Sequence, residues 1–113
     1  MKELEALLKA LADKNRIRML CLLQTRKMCV CELAFVIGIT QPSVSKHLKK
    51  LGRAGIIGSE QDRFWTNYYL KKDKETLNTL LRCLREHLSG EDIINKDARK
   101  LKKVNRACLC TQR

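Results

Sequence analysis

Four of the six cysteines in this 113-residue chain fall in two Cys-x-Cys pairs, Cys29-Val30-Cys31 and Cys108-Leu109-Cys110. Thiolates ligate soft ions, and vicinal thiols also exchange with oxidants, so the pairs admit either a metal site or a redox site. Spacing restricts where the first pair can chelate. On a helix advancing about 100° per residue, residues two apart point about 200° from each other, whereas in an extended stretch they share a face. Cys29 and Cys31 therefore grip one ion only at or before the first turn of their helix, and ligation there pulls on the element that helix supports. Adding Cys108, Cys110 or both makes a trithiolate or tetrathiolate site. Three thiolates suit trivalent arsenic or antimony, and four favour tetrahedral zinc or cadmium. Cys21 and Cys83 lie on or beside apolar stripes and read as small packing residues.

The element that the first pair supports reads as half of a helix-turn-helix. Val30, Leu33, Ala34 and Ile37 form the buried stripe of a short helix, and Gly38-Ile39 supplies a tight turn. Thr40 then suits an N-cap, Pro42 is tolerated in a first turn, and Gly52 and Gly55 mark an end. Within that second helix Val44, His47, Leu48 and Leu51 share one face. Ser45, Lys46, Lys49 and Arg53 fall opposite, with Ser43 and Lys50 on the flank, so the outward surface carries cations and hydroxyls but no carboxylate. That composition fits a phosphate-lined groove. Thr40, Gln41, Ser43, Ser45, Lys46, His47, Lys49, Lys50 and Arg53 are the candidate DNA contacts, His47 as a packing or phosphate contact.

A hairpin follows. Ile56-Ile57 opens a β-prone run, Gln61-Asp62-Arg63 is polar and turn-like, and Phe64 to Leu70 is an aromatic-rich returning strand. Arg63 at its tip would sit near a phosphate or in the minor groove. Trp65 and the two tyrosines read as packing beneath the wing.

Cys-Val-Cys-Glu-Leu, Gln-Pro-Ser-Val-Ser-Lys-His-Leu and the run Trp65-Thr66-Asn67-Tyr68-Tyr69-Leu70 resemble the ArsR/SmtB family of metal-sensing repressors, over about residues 4 to 88. The resemblance implies a homodimeric winged helix that occupies an operator when metal-free and leaves it when ligated. A Cys-x-Cys at the start of this helix is similar to the arsenic, antimony, cadmium and lead branches. Three departures stand out. The arsenic branch commonly has a third cysteine where this chain has Ala34, and the cadmium and lead branch borrows cysteines from a long N-terminal extension where only Met1-Lys2-Glu3 stand here. Positions matching the zinc site on the family's last helix read Asp73, Glu75, Glu86 and Ser89, with no histidine pair.

The remaining chain must position these parts. Leu4, Leu7, Leu8 and Leu11 make a first helix amphipathic, Asp13 or Asn15 can cap a second, central helix, and Asp73 can cap a later one. The stripe Leu77, Leu80, Leu81, Leu84, Leu88 describes a helix ending at Ser89-Gly90. A leucine stripe this strong needs a partner, so the first and last core helices are expected to pack against their symmetry mates in a homodimer. Residues 1–90 then form the DNA-binding and dimerisation domain, and 91–113 a basic extension with a weak helical stripe. From Lys96 onward it carries seven cations against one anion, half of the chain's net charge of +12.

A chain this basic favours a polyanionic partner, here double-stranded operator DNA. Two reading helices about 34 to 36 Å apart predict an imperfect palindrome. No apolar run approaches the roughly 18 residues of a membrane span and the N-terminus does not read as a signal peptide, so a cytoplasmic protein without membrane contact is expected. A disulfide scaffold belongs to small secreted chains. No nucleophile with a base, phosphate loop or carboxylate pair marks an enzyme, and no organic cofactor is expected. As(III) or Sb(III) is the expected inducer, with Cd(II), Pb(II) or Zn(II) as the other soft ions. The same cysteines also admit a thiol redox-sensing regulator, in which oxidation moves the same helix.

Overall fold

A computed structural model describes residues 1–104. They form α1 (Lys2–Leu11), α2 (Lys14–Leu23), α3 (Val30–Ile37), α4 (Gln41–Arg53), β1 (Ile57–Asp62), β2 (Trp65–Leu70), α5 (Glu75–Leu88) and α6 (Asp92–Leu101). The architecture is the expected one, mainly helical with one antiparallel hairpin: a winged helix-turn-helix.

Helix α2 is the central post. The Asp13 carboxylate accepts the Arg16 N–H at 3.0 Å and caps it, and Met19 and Leu20 are fully buried. Met28, Leu33 of α3, Val44 and Leu51 of α4, Ile56 and Leu77 are equally buried around it. The turn between α3 and α4 is made by Gly38 at φ +82°, a left-handed conformation that a Cβ would strain. Thr40 caps α4 through its hydroxyl, which accepts the Ser43 N–H at 3.3 Å. Asp73 does not cap α5. Lys74 holds the N-cap position, with no side-chain bond.

The hairpin register runs from Ile57 opposite Leu70 to Asp62 opposite Trp65, so the connection is Arg63-Phe64 and not Gln61-Asp62-Arg63. Gln61 looked turn-like because it is polar, but in strand β1 it braces the tip. Its amide donates to the Arg63 carbonyl at 2.9 Å and accepts from the Thr66 hydroxyl at 2.9 Å. Arg63 takes φ +56°, the sign that tight hairpin connections demand. Tyr69 lies across Gly58, where an added Cβ would come within 2.7 Å of its ring, and Tyr68 packs against the core.

The leucine stripes divide in two. Leu7, Leu11, Leu77 and Leu81 are buried in the protomer, whereas Leu4 and Leu8 remain exposed and Leu80, Leu84 and Leu88 half-exposed. Helix α6 docks on α2 and α3 through a buried ion pair. The Arg18 guanidinium meets both Asp97 oxygens at 2.9 Å and donates to the Ile37 carbonyl at 3.2 Å, while Lys100 sits 4.8 Å over the Phe35 ring. Cys108 and Cys110 lie outside the described residues. No helix among the described residues is long and apolar enough to cross a membrane.

Removing Asp97 strands the Arg18 guanidinium, whose side chain is only 12% exposed. Asp97→Ala is expected to cost about 3 kcal/mol, read as a lowered urea midpoint at unchanged slope.

Candidate metal centre and nucleic-acid interface

The first thiol pair lies where strand becomes helix. Met28 makes a two-bond bridge to the wing, donating to the Tyr68 carbonyl at 3.1 Å and accepting from the Tyr68 N–H at 2.8 Å. Cys29 continues that extended path at φ −93°, ψ 171° as the N-cap of α3, and Cys31 follows in the first turn. This is the setting that two-residue spacing requires for chelation. Both thiols are buried, at 3% and 4% exposure.

A carboxylate and a guanidinium secure the junction. Glu32, itself 2% exposed, accepts the Cys29 N–H at 3.1 Å with one oxygen and the Arg26 guanidinium at 2.8 Å with the other. Its own N–H turns back to the Cys29 sulfur and closes a capping box. Glu32 was not singled out in the sequence. The signal was its N3 position, legible only once Cys29 is read as a cap. Burial pushes the Cys29 thiol up to about 11, offset by the Glu32 N–H and reinforced by the Glu32 charge.

Cys31 reaches the other way. Its sulfur accepts from the Gln41 side-chain amide at 3.6 Å, and Gln41 is the first residue of α4. No group of three or more histidine, cysteine, aspartate or glutamate residues is placed to hold a metal among the described residues. Two adjacent soft donors therefore fit a soft ion only when a further ligand joins them, and Cys108 and Cys110 lie outside the described span. Cys21 is half-buried between α2 and α6, beside a cavity of about 500 Å³, and Cys83 is exposed on α5.

Helix α4 presents Gln41, Ser45, Lys46, Lys49, Lys50 and Arg53 as exposed side chains, with Ser43 half-buried beside Thr40. No acidic residue occurs between Gln41 and Arg53. His47 faces inward. Its Nδ1 lies 3.1 Å from the Arg16 guanidinium, whose Nε donates to the Ala10 carbonyl at 2.6 Å, and burial holds the imidazole below its ordinary value. The His47 ring thus ties α4 to the end of α1. Arg63 is exposed at the wing tip beside Phe64, 91% exposed and edge-on to Trp65 at 6.3 Å. Phe64 was expected in the strand. Its place at the tip puts an aromatic face where the wing would meet a partner.

The sequence profile described as "Bacterial regulatory protein, arsR family" matches residues 13–59, from the cap of α2 into β1. An arsenical resistance operon repressor of Bacillus subtilis is 38% identical over 82 residues, covering 72% of this chain and 76% of that one. The chain belongs to the ArsR family. Another member, the arsenic resistance transcriptional regulator ArsR1 of Pseudomonas putida, is 40% identical over 63 residues, covering 55% of this chain and 49% of that relative. The alignment spans about half that relative's length. Among solved structures, the transcriptional repressor BigR from Xylella fastidiosa matches with a TM-score of 0.70 at 28% identity, covering 80% of this chain and 88% of that one. ArsR-family proteins are DNA-binding transcriptional regulators and not enzymes, and this chain is such a regulator.

The Cys29 thiol, with its value near 11, is almost wholly protonated at neutral pH. Its alkylation by iodoacetamide should accelerate by about tenfold per pH unit between pH 7 and 9 and lag behind that of exposed Cys83 throughout, as followed by peptide mass mapping.

Proposed function

We propose that this regulator is a metal(loid)-responsive repressor, bound to its operator when metal-free and released when Cys29 and Cys31 ligate As(III), Sb(III) or a soft divalent ion such as Cd(II), Pb(II) or Zn(II). The observation that carries the reading is the junction itself: an extended Cys29 followed by Cys31 in the first turn of α3, one tight turn ahead of α4. Cys108, Cys110 or both complete the site as third or fourth thiolate, replacing the donor that Ala34 lacks. Such ligands must lose their protons, so burial of both thiols sets the threshold for capture.

Operator contacts are assigned to Thr40, Gln41, Ser43, Ser45, Lys46, Lys49, Lys50 and Arg53 along α4 and to Arg63 on the wing, with His47 orienting α4 through Arg16. The exposed Leu4 and Leu8 and the half-exposed Leu80, Leu84 and Leu88 supply the homodimer face, with Leu7, Leu11, Leu77 and Leu81 beneath them. A dimer with two reading helices calls for an imperfect palindrome, and a regulator of operator DNA works where that DNA lies, in the cytoplasm. The raised Cys29 thiol weighs against redox sensing, which favours accessible, low-pKa thiolates.

One titration tests the site: thiolate-to-metal absorption of the reduced protein against serine substitutions at Cys29, Cys31, Cys108 and Cys110, with operator binding read in parallel. Loss of absorption and of release is expected at Cys29 and Cys31, with operator affinity falling about tenfold or more on ligation of the native protein. Unchanged operator affinity under saturating arsenite, antimonite, cadmium, lead and zinc would sink the proposal. For the interface, Arg53→Gln and Arg63→Gln are each expected to weaken operator binding and to lower the slope of log affinity against log salt by about 1.

A further inference from the structure

The geometry points to Gln41 as the residue that transmits ion capture to the operator, an inference that rests on the reading above. Gln41 occupies both halves of the molecule. As the first residue of α4 it is exposed at the end of the reading helix, and its side-chain amide is at the same time a donor to the Cys31 sulfur at 3.6 Å. The two lie ten positions apart in sequence, joined only by the rest of α3 and the Gly38 turn.

A glutamine reads an adenine edge with Nε2 and Oε1 together, which requires its carboxamide plane to face the groove. Donation to Cys31 fixes that plane toward α3 instead. The Cys31 bond takes one of the two amide hydrogens and sets the tilt of the carboxamide plane, so sulfur and operator compete for its orientation. A neutral thiol is a weak acceptor and yields the amide readily. When Cys31 ligates a divalent ion such as cadmium, its proton is displaced to solvent and the metal-bound sulfur keeps part of the thiolate charge, which makes it a stronger acceptor than the thiol. The amide is then held against α3, and α4 meets the operator without its first side chain. The sign is that of a repressor released by ligation.

Substitution at Gln41 leaves the core untouched, because the side chain is exposed and α4 keeps its Thr40 cap. Gln41→Met preserves length and removes the donor. Operator affinity of native protein and Gln41→Met is measured with and without saturating cadmium, occupancy being confirmed by thiolate-to-cadmium absorption, and the Gln41 side-chain amide of the native protein is followed by ¹H–¹⁵N NMR. The expected results are a Gln41 amide resonance that shifts on cadmium binding, and a ratio of cadmium-free to cadmium-bound affinity at least threefold smaller in Gln41→Met than in native protein, within the usual range of about 5- to 150-fold for such coupling. An equal ratio in both proteins, with the native one responding, overturns the role of Gln41 and leaves the metal-sensing reading intact. A native protein that binds cadmium and shows no response overturns both.

Discussion

Everything in this fold that bears on response depends on one constraint: the chain must pass from a strand-like bridge to a helix within a single residue. Met28 is held to Tyr68 of the wing by two backbone bonds, and Cys29 must already serve as the cap of α3. Helix α3 has only eight residues, well short of the roughly 12 to 15 that an isolated helix needs. Its start is therefore imposed by the Met28–Tyr68 bridge and by capping. The buried Glu32 supplies the cap's closure, tying the Cys29 N–H, its own N–H and Arg26 into one closed unit. A chain that needed only a helix there would have serine, threonine or aspartate at the cap, the residues that serve best. Cysteine is a poorer cap and a far better ligand for soft ions, and departures from the locally best residue concentrate where function competes with stability.

The junction is also where the two elements proposed to face DNA meet. Upstream it is bonded to β2, whose strand leads back to the wing tip at Arg63. Downstream it leads through Gly38 to α4. Met28 bonds the junction to the wing and the Cys31–Gln41 contact bonds it to α4, the two routes by which the proposed response would travel. His47 and Arg16 hold the middle of α4 to the end of α1. Arg18 adds a second restraint, linking the last carbonyl of α3 to Asp97 of α6.

Much of this was legible in the sequence, for identifiable reasons. The stripes Val44–Leu48–Leu51 and Leu77–Leu81 follow helical period strongly enough to place α4 and α5, and the two-residue spacing of Cys29 and Cys31 excluded a mid-helix site before any fold was considered. What escaped were the partners, set by contacts distant along the chain. Helix α6 docks because Asp97 finds Arg18 across 79 residues, and His47, on the inner face that its spacing indicates, is held by Arg16, 31 residues away. The wing tip was misplaced for a local reason: Gln61 and Asp62 have turn-like polarity, yet cross-strand bonds to Thr66 and the Arg63 carbonyl keep Gln61 within strand β1.

On the proposed reading, burial of the thiols gives the junction its selectivity. A buried, protonated cysteine is inert toward dilute oxidants and toward ions that bind sulfur weakly, because deprotonation inside the core must be offset by the metal–sulfur bond. Only ions whose thiolate bonds are strong can repay that cost, and among those that do, the number of sulfurs within reach decides between trigonal arsenic or antimony and a tetrahedral divalent ion. The same burial keeps the unligated state well packed, with Cys29 as a cap and Cys31 as an acceptor in a core with no unsatisfied buried side-chain polar atom among the described residues. On that reading, capture of an ion takes the Cys29 sulfur from its cap and changes the charge on the Cys31 acceptor, so ligation and the capping box favour different arrangements of the junction. The strength of any response is then the difference between those two arrangements as the operator feels it, and not the affinity of the ion alone.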